Sequence, residues 1–448
     1  MTKFHQVAIN SFLKEREDRF KPEEANSKGL KRLEKIDFSG HIYLAENKDT
    51  RTGMILIKKG DLVISGINVE KGAIAVYHGE EDILATIHYS SYSFDKNKIG
   101  VEYFKWFLRS KVFKDIVNAS IKGGIKTELK PKSFLSLIIP LPDIDIQTEI
   151  RKRLDFAYNE MQELEEIHFK NEDCLQNLRQ SILSEAVQGK LVPQDPKDEP
   201  ASELLKKISI EKEKLIKEKR MKKEKPLPLI IEEIPYKLPK GWEWVRFGEI
   251  TNLGTSEKAD SKSIRPYTWV LDLEDIEKDS SKLLQKIRFK DRNSLSTKSI
   301  FYKNDVLYGK LRPYLDKVIV ADEDGVCTTE ILPIRSYFQI NPHYIRIYLK
   351  NSEFINYVNS KVYGMKMPRL GTEDGRKALF ALPPLAEQKR IVKKVDQLMK
   401  LCDELEQKVK ENQKNSELLM EVMLKEAFEN GLAAKGSLLA LDTGHAPG

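Results

Sequence analysis

Side chains able to do chemistry are sparse in this 448-residue chain, and their spacing argues against catalysis. The segment PDIDIQTEIRK (142–152) offers Asp143, Glu149 and either Arg151 or Lys152, a nuclease-like set of acids and a base. These residues also open an amphipathic helix, where acids near the N-terminus complement the helix dipole. A later segment of the same design, PPLAEQKRI (383–391), lacks the Asp. The seven histidines are scattered, with no i, i+4 pair and no nearby cysteine, so no zinc site can be assembled. There is no G-x-G for a dinucleotide or S-adenosylmethionine loop and no G-x-x-x-x-G-K-[ST] for a nucleoside triphosphate. No proline pair carries the Asn/Asp-Pro-Pro-aromatic flanks of an amino-methyltransferase. The chain reads as non-catalytic and free of metal.

Composition sets the remaining bounds. Length suggests about three units of ordinary domain size. An apolar share of 40% supports real cores, and 32% charge fits a soluble chain rich in helical surface. No apolar run is long enough to span a bilayer, and MTKFHQVAINSFLKERE lacks a signal-peptide core, so a cytoplasmic location is expected. Cys174, Cys327 and Cys402 are odd in number and widely spaced, which points to buried thiols in a reducing compartment. The net charge of +7 is concentrated: Lys206 to Lys225 holds ten Lys/Arg against four Glu. Such a run reads first as a solvated helix.

The elements that organise the chain are two long amphipathic helices, from about Glu149 to Val187 and from about Arg390 to Phe428. Ile150, Leu154, Ala157, Met161, Leu164, His168, Asn171, Leu175, Leu178 and Ile182 alternate strictly by four and three. Adding 241 gives Ile391, Val395, Leu398, Cys402, Leu405, Val409, Asn412, Ser416, Leu419 and Met423. Eight of ten positions in each set are apolar, the a/d seam of a coiled coil. His168, inside that seam, is expected to be packed and hydrogen-bonded.

Each helix follows a mixed α/β stretch. In the first, MILIKKGDLVISG (54–66) and GAIAVYHGEEDILAT (72–86) read as strands, Val101–Asn118 as a helix and LSLIIPLP (135–142) as a final strand. Gly189 and Pro193 end the first long helix. A short basic helix to about Lys225 and an extended, proline-rich connector (226–244) follow. In the second stretch, FYKNDVLYGKLRPYLDKVIVA (301–321) reads as strand, loop, strand, VCTTEILPIRS (326–336) as a strand and His343–Ser360 as a helix. YFKWFLRSKVF (103–113) matches YIRIYLKNSEF (344–354), and LSEAVQGKL (183–191) matches LKEAFENGL (424–432), both at an offset of 241. KKGDLVISG matches YKNDVLYGK with a slip of about three. Together these define an internal duplication of about 240 residues.

On these residues the sequence resembles the specificity (S) subunit of type I restriction–modification enzymes, over about residues 1–432. LPPLAEQKRIVKKVDQLMKLCDELE (382–406) is close to the family's helix opening, and LPKGWEWVRFGEI (238–250) looks like the start of a target-recognition domain. DVLYGKLRPYLDKV (305–318) and EPASELLKKISIEKEKLIKEKRMKKEKPLP (199–228) are similarly typical. The first copy departs from the pattern: LPDIDIQTEI keeps Pro142 and Gln147 but loses the second proline and the glutamate, and the Leu-Pro-x-Gly-Trp opening is absent.

The resemblance implies an α+β fold: two similar mixed α/β target-recognition domains joined by two long antiparallel coiled-coil helices under a pseudo-twofold. The boundaries are 1–143 and 238–384 for the recognition domains, 144–190 and 385–432 for the long helices, 191–237 for the linker, and 433–448 for an unassigned tail. Each domain would read half of a split double-stranded DNA target, with Lys and Arg on phosphates and Arg, Asn or Gln on base edges. The expected DNA-binding residues are Lys310, Arg312, Tyr314, Lys317, Lys366 and Arg369 in the second domain. In the first they are Asn68, Lys71, Lys122, Lys126 and Lys130. Asn171 and Asn412, central in their helices, would meet and fix register. A helix of about 39 residues, roughly 58 Å long, sets the gap between half-sites. Phe156, Ile167, Phe169, Leu401 and Leu418, off the seam, would dock two modification (methyltransferase) subunits. Restriction subunits complete the complex; S-adenosylmethionine, ATP and Mg belong to those partners, and no cofactor to this chain. A coiled-coil scaffold with two protein-binding domains, or an enzyme with an unrecognised site, are the competing readings.

Overall fold

The computed structural model describes residues 4–37, 40–45, 51–67, 73–120, 130–221, 223, 226–231, 234–292, 296–361 and 367–430. They form two units, Met1–Phe169 with Lys410–Gly448, and Lys170–Val409. The second unit is one continuous stretch and the first is two, and each contains part of both long helices.

The duplication is a duplication of topology. In the first unit a five-stranded sheet runs in the order Arg19–Phe20, Met54–Ile57, Ile83–Thr86, Arg32–Ile36, Ile42–Ala45. The second unit repeats it as Lys258–Ala259, Lys298–Phe301, Gly325–Cys327, Trp269–Leu271, Ile287–Arg288. In both, the third and fourth strands are the parallel pair and the other pairings are antiparallel. A second sheet is also shared: Leu62–Ser65, Ile74–Val76 and Tyr89–Phe94 correspond to Val306–Gly309, Val318–Val320 and Ile331–Ile334. The first unit adds Leu13–Glu15 at its edge. A two-stranded ribbon closes each unit, Phe4–Ala8 with Ile138–Pro142 and Glu243–Arg246 with Leu379–Leu382. The first domain therefore has the opening strand even though its Leu-Pro-x-Gly-Trp signature is missing.

Residues identical in the two copies are core. Tyr103, Leu108 and Phe113 are almost wholly buried, as are Tyr344, Leu349 and Phe354. The single helix expected at Val101–Asn118 is two, Val101–Arg109 and Lys111–Ser120, and His343–Ser360 is likewise Pro342–Lys350 and Ser352–Lys361. The breaks fall at buried Ser110 and Asn351. Their side-chain oxygens accept from the backbone N–H of Phe113 (3.3 Å) and of Glu353 and Phe354 (2.8 and 3.1 Å), capping the second helix of each pair.

The long helices span Ile144–Val187 and Leu385–Lys425, 44 and 41 residues, or roughly 66 and 62 Å at 1.5 Å per residue. The end of each is built into the domain that the other one follows. In the first unit Phe428 packs on Tyr103 and Phe107, with ring centroids 5.7 and 5.6 Å apart, in the same core as Leu154. In the second, Ile182, Leu183, Ala186 and Val187 share a core with Trp242, Ile391 and Val395. Arg179 donates to Asp403 (2.6 Å) and Glu406 (3.1 Å). This crossed pairing makes the helices antiparallel.

Several sequence expectations need correction. Of the seam, only the line Leu154, His168, Leu175, Ile182 and, on the other helix, Ile391, Val395 and Cys402 is buried. Leu164, Leu178, Leu405 and Leu419 remain 41–59% exposed, so the regular seam of a two-stranded coiled coil, which buries both a and d lines, is not formed along the whole length. Cys174 is exposed, whereas Cys327 and Cys402 are buried. His168 is packed, but its Nδ1 has no hydrogen-bond partner among the described residues. The basic helix ends at Lys217, where Lys219 turns left-handed, and it is not a free linker: Ala201, Leu204 and Ile208 are part of the second unit's core. The tail beyond residue 430 lies outside the described residues.

Each domain is tied to its own long helix by one buried glutamine. Gln147 accepts from Gly100 N–H (2.9 Å) and donates to the Pro142 carbonyl (2.8 Å). Gln388 accepts from Asn341 N–H (2.9 Å) and donates to the Pro383 carbonyl (3.0 Å). Truncating either leaves a buried donor and acceptor unpaired, at roughly 1–3 kcal/mol. Gln147→Ala and Gln388→Ala should each lose about 2 kcal/mol of stability. Hydrogen exchange should localise the loosening to the ribbon and helix of the substituted unit, and uniform protection loss in both units would contradict the assignment.

Candidate nucleic-acid interface

The second domain's best-defined candidate is the turn between Val306–Gly309 and Val318–Val320. Its base is a ladder: Gly309 N–H donates to Lys317 O (2.9 Å) and Lys310 N–H to Glu330 O (2.9 Å). The first domain has the same ladder, Ser65 N–H to Ala73 O (3.0 Å) and Gly66 N–H to His88 O (3.0 Å). The framework under the turn is repeated although the residues on it differ.

At the end of Leu62–Ser65 and of Val306–Gly309 opposite the turn lies a buried aspartate. Asp305 accepts from Arg335 Nε and Nη2 (2.7 and 2.8 Å) and from Tyr302 N–H (2.9 Å). Asp61 accepts from Arg16 Nη2 (2.8 Å), Ser91 Oγ (2.8 Å) and Lys58 N–H (2.9 Å). The aspartate is common to both copies, but its arginine follows a different strand in each, Leu13–Glu15 for Arg16 and Ile331–Ile334 for Arg335. The paired carboxylates raise both guanidinium pKa values. Among the described residues no group of His, Cys, Asp and Glu is arranged to hold a metal.

The structure brings the two firmest sequence candidates together. Leu311 and Arg369 form an antiparallel bridge, Arg312 N–H donates to Pro368 O (2.8 Å) and Leu370 N–H to Lys310 O (3.0 Å). Arg312 and Tyr314 are exposed on this stitched turn, and Arg312 makes no side-chain hydrogen bond or ion pair among the described residues. Arg369 is exposed but oriented by Glu330, at 3.0 and 3.4 Å. Lys310 is half-buried. Lys317 is turned away from the group, its ammonium donating to Leu273 O (2.7 Å), and partial burial lowers its pKa. Lys130 is exposed at the start of the helix Pro131–Leu135, the place that Gly371 takes in the second domain just after Leu370. Asn68, Lys71, Lys122, Lys126 and Lys366 lie outside the described residues.

Sequence reasoning missed the residues that hold the turn. Gln147/Gln388 and Asp61/Asp305 were legible as identities between the copies, at offsets of 241 and 244. Glu330, which aims Arg369, and Lys350, which pairs with Asp316, have no such mark. Lys350 Nζ lies 2.5 Å from Asp316 Oδ2, both nearly buried. Burial pushes the Asp316 carboxyl up to about 6 against the opposing pull of Lys350, and lowers the Lys350 ammonium.

The long helices carry the exposed apolar residues anticipated off the seam. In the first unit these are Phe156, Ile167, Phe169 and Leu418, with Phe169 71% exposed; in the second, Leu401 is 54% exposed. No described helix is long and apolar enough to cross a membrane.

Comparison with known proteins gives this architecture a class. Over nearly the full length of both chains it has the fold of the HsdS subunit from Thermoanaerobacter tengcongensis (TM-score 0.54, 16% identity, 96% and 97% covered). It also matches a chain from a structural study of complex assembly and conformational transition of the type I R-M system (TM-score 0.62, 15% identity, 95% and 97% covered). Residues 239–414 match the type I restriction modification DNA specificity domain. The Escherichia coli type I restriction enzyme EcoAI specificity subunit is 37% identical over 249 residues, 52% of this chain and 41% of that protein. The E. coli EcoDI specificity subunit is 25% identical over 339 residues, 75% of this chain and 71% of that protein. The chain spans about two fifths of the length of the first curated relatives it matches. In sequence over part of its length, and in fold over nearly all of it, the chain is similar to the type I restriction–modification specificity (S) subunits.

Asp316 supplies a pH test of the turn's foundation. Its folded pKa lies above the value of 3.8 for a free carboxyl, so its stabilising contribution is full below that value and fades as pH rises through about 6. The stability difference between the unaltered chain and Asp316→Asn, followed by urea denaturation, should shrink over that window. A difference that is flat in pH would show that Asp316 does not titrate there.

Proposed function

We propose that this chain is the DNA-reading, non-catalytic subunit of a type I restriction–modification complex. Each recognition domain reads one half of a bipartite double-stranded target. The observation that carries the reading is the repeated framework: two copies of one topology, each presenting a laddered turn at the end of a strand that starts from a buried aspartate paired with arginine. In the second domain Arg312, Tyr314 and Arg369 project from that turn. Arginine's planar fork suits bidentate contact with guanine, and an exposed tyrosine suits sugar or base contact. Lys310 and Lys130, with Lys317, Asn68, Lys71, Lys122, Lys126 and Lys366 as further candidates, provide phosphate or base contacts whose strength falls with salt.

The antiparallel helices act as the spacer between half-sites. Asn171 and Asn412 occupy equivalent positions of the duplicated helices; both are exposed rather than buried, and we propose them as the positions that mark the pseudo-twofold. Phe156, Ile167, Phe169, Leu401 and Leu418 form the docking surface for two modification subunits, which bring S-adenosylmethionine. Restriction subunits bring ATP and Mg. The chain itself supplies address, not chemistry.

The test is to map methylated adenines in cells carrying this chain with its partner subunits. A split motif with a fixed gap is expected, and exchanging residues 238–384 for those of a relative should rewrite one half only. Arg312→Ala should weaken target binding by about 1–3 kcal/mol and relax one position of that half. If both halves change, or no split motif appears, the two-reader assignment fails and a protein-binding scaffold takes its place.

A further inference from the structure

We propose that Lys350 and Asp316 are positioning residues of the second recognition domain, a buried ionic lock that holds the Arg312 turn in its reading shape. The proposal rests on the DNA-reading function above and assigns that function's rigidity to named residues.

The turn has an unusual backbone. Arg312 (φ 50°, ψ 60°) and Asp316 (φ 48°, ψ 48°) are both left-handed, on either side of the short helix Pro313–Leu315. Asp279 and Ser281, in the neighbouring loop, are left-handed as well, with φ of 61° and 56°. Four of the six non-glycine residues with positive φ among the described residues therefore gather here. L side chains adopt this conformation when their surroundings impose it, and such residues concentrate at functional sites.

At Asp279, Ser281 and Asp316 what imposes it is Lys350, the last residue of the helix Pro342–Lys350. Its ammonium has three protons to donate, and it reaches Asp279 O (2.9 Å), Ser281 Oγ (2.8 Å) and Asp316 Oδ2 (2.5 Å). Ser281 Oγ in turn donates to Asp316 O (2.5 Å) and accepts from Val318 N–H (3.1 Å), and Asp279 N–H donates to Leu315 O (3.0 Å). One cation thus ties two loops, and the turn at its Asp316 end, to the end of a core helix. An apolar side chain of similar size would fill the same space without giving direction to any of these groups. In the first unit the position equivalent to Lys350 holds another cation, Arg109, against Trp106.

The lock is tested with the full chain, a pool of DNA duplexes randomised in their central region, and sequencing of the bound fraction. The variants are Lys350→Met and the double variant Lys350→Met/Asp316→Asn. The double variant leaves no unpaired buried charge, and Asn tolerates left-handed backbone. The unaltered chain should enrich a split motif. Both variants should lose enrichment roughly tenfold in the half read by residues 238–384, while the half read by residues 1–143 and the salt dependence of non-target binding stay unchanged. Full enrichment of both halves by the double variant overturns the lock and leaves the DNA-reading function intact. Loss of both halves in the double variant also overturns it, since the pair would then serve folding alone. If the unaltered chain enriches no split motif, the DNA-reading function fails first and the lock falls with it.

Discussion

The buried glutamine at the head of each long helix is the contact on which the architecture turns. Gln147 and Gln388 each bind a backbone N–H at the start of a core helix and a proline carbonyl at the end of the closing ribbon. One amide therefore fixes three elements at once: ribbon, domain helix and long helix. A glutamate could not do so, because a carboxylate only accepts and would leave the proline carbonyl unpaired. The far end of each helix is held by packing, through Phe428 in one unit and Ala186 and Val187 in the other. Each long helix thus has a polar attachment at one end and an apolar attachment at the other.

Much of this was legible in the sequence, for a physical reason. Positions that must match in two copies of a fold are those whose packing or hydrogen bonding allows no substitute, so internal identity reports structure. Tyr103/Tyr344, Leu108/Leu349 and Phe113/Phe354 are core, and Gln147/Gln388 and Asp61/Asp305 are clamps. The helix-end match of LSEAVQGKL with LKEAFENGL marked residues that enter the opposite domain's core, although periodicity alone could not say where they dock. Other features were hidden. The breaks at Ser110 and Asn351 look like ordinary polar positions in a helical pattern, and only burial shows them to be caps. The strand order of the five-stranded sheets joins residues dozens of positions apart, and no local pattern encodes that pairing.

The interface was legible in kind and obscure in detail. Prolines beside Arg312 and Arg369 pointed to fixed turns, and the structure places those turns against each other. Lys317 lies on the same loop, yet its ammonium serves the Leu273 carbonyl. A lysine's sequence context says that it is basic and near a turn; it does not say which way four flexible carbons point. Arg369 shows the opposite case. An exposed ion pair such as Glu330–Arg369 adds little stability, about 0–1 kcal/mol, but it orders a side chain that would otherwise lose its freedom on binding.

The exposed second line of the helices belongs to the same geometry. The Leu154–Ile182 and Ile391–Cys402 lines are the buried part of the seam. On the neighbouring line Leu164, Leu178, Leu405 and Leu419 face solvent, two heptads apart on each helix. Exposed Asn171 and Asn412 stand midway between them. These leucines lie on the long helices and not on the sheet domains. Each helix therefore keeps its polar clamp at its head, its packed residues at its far end and its exposed leucines in between.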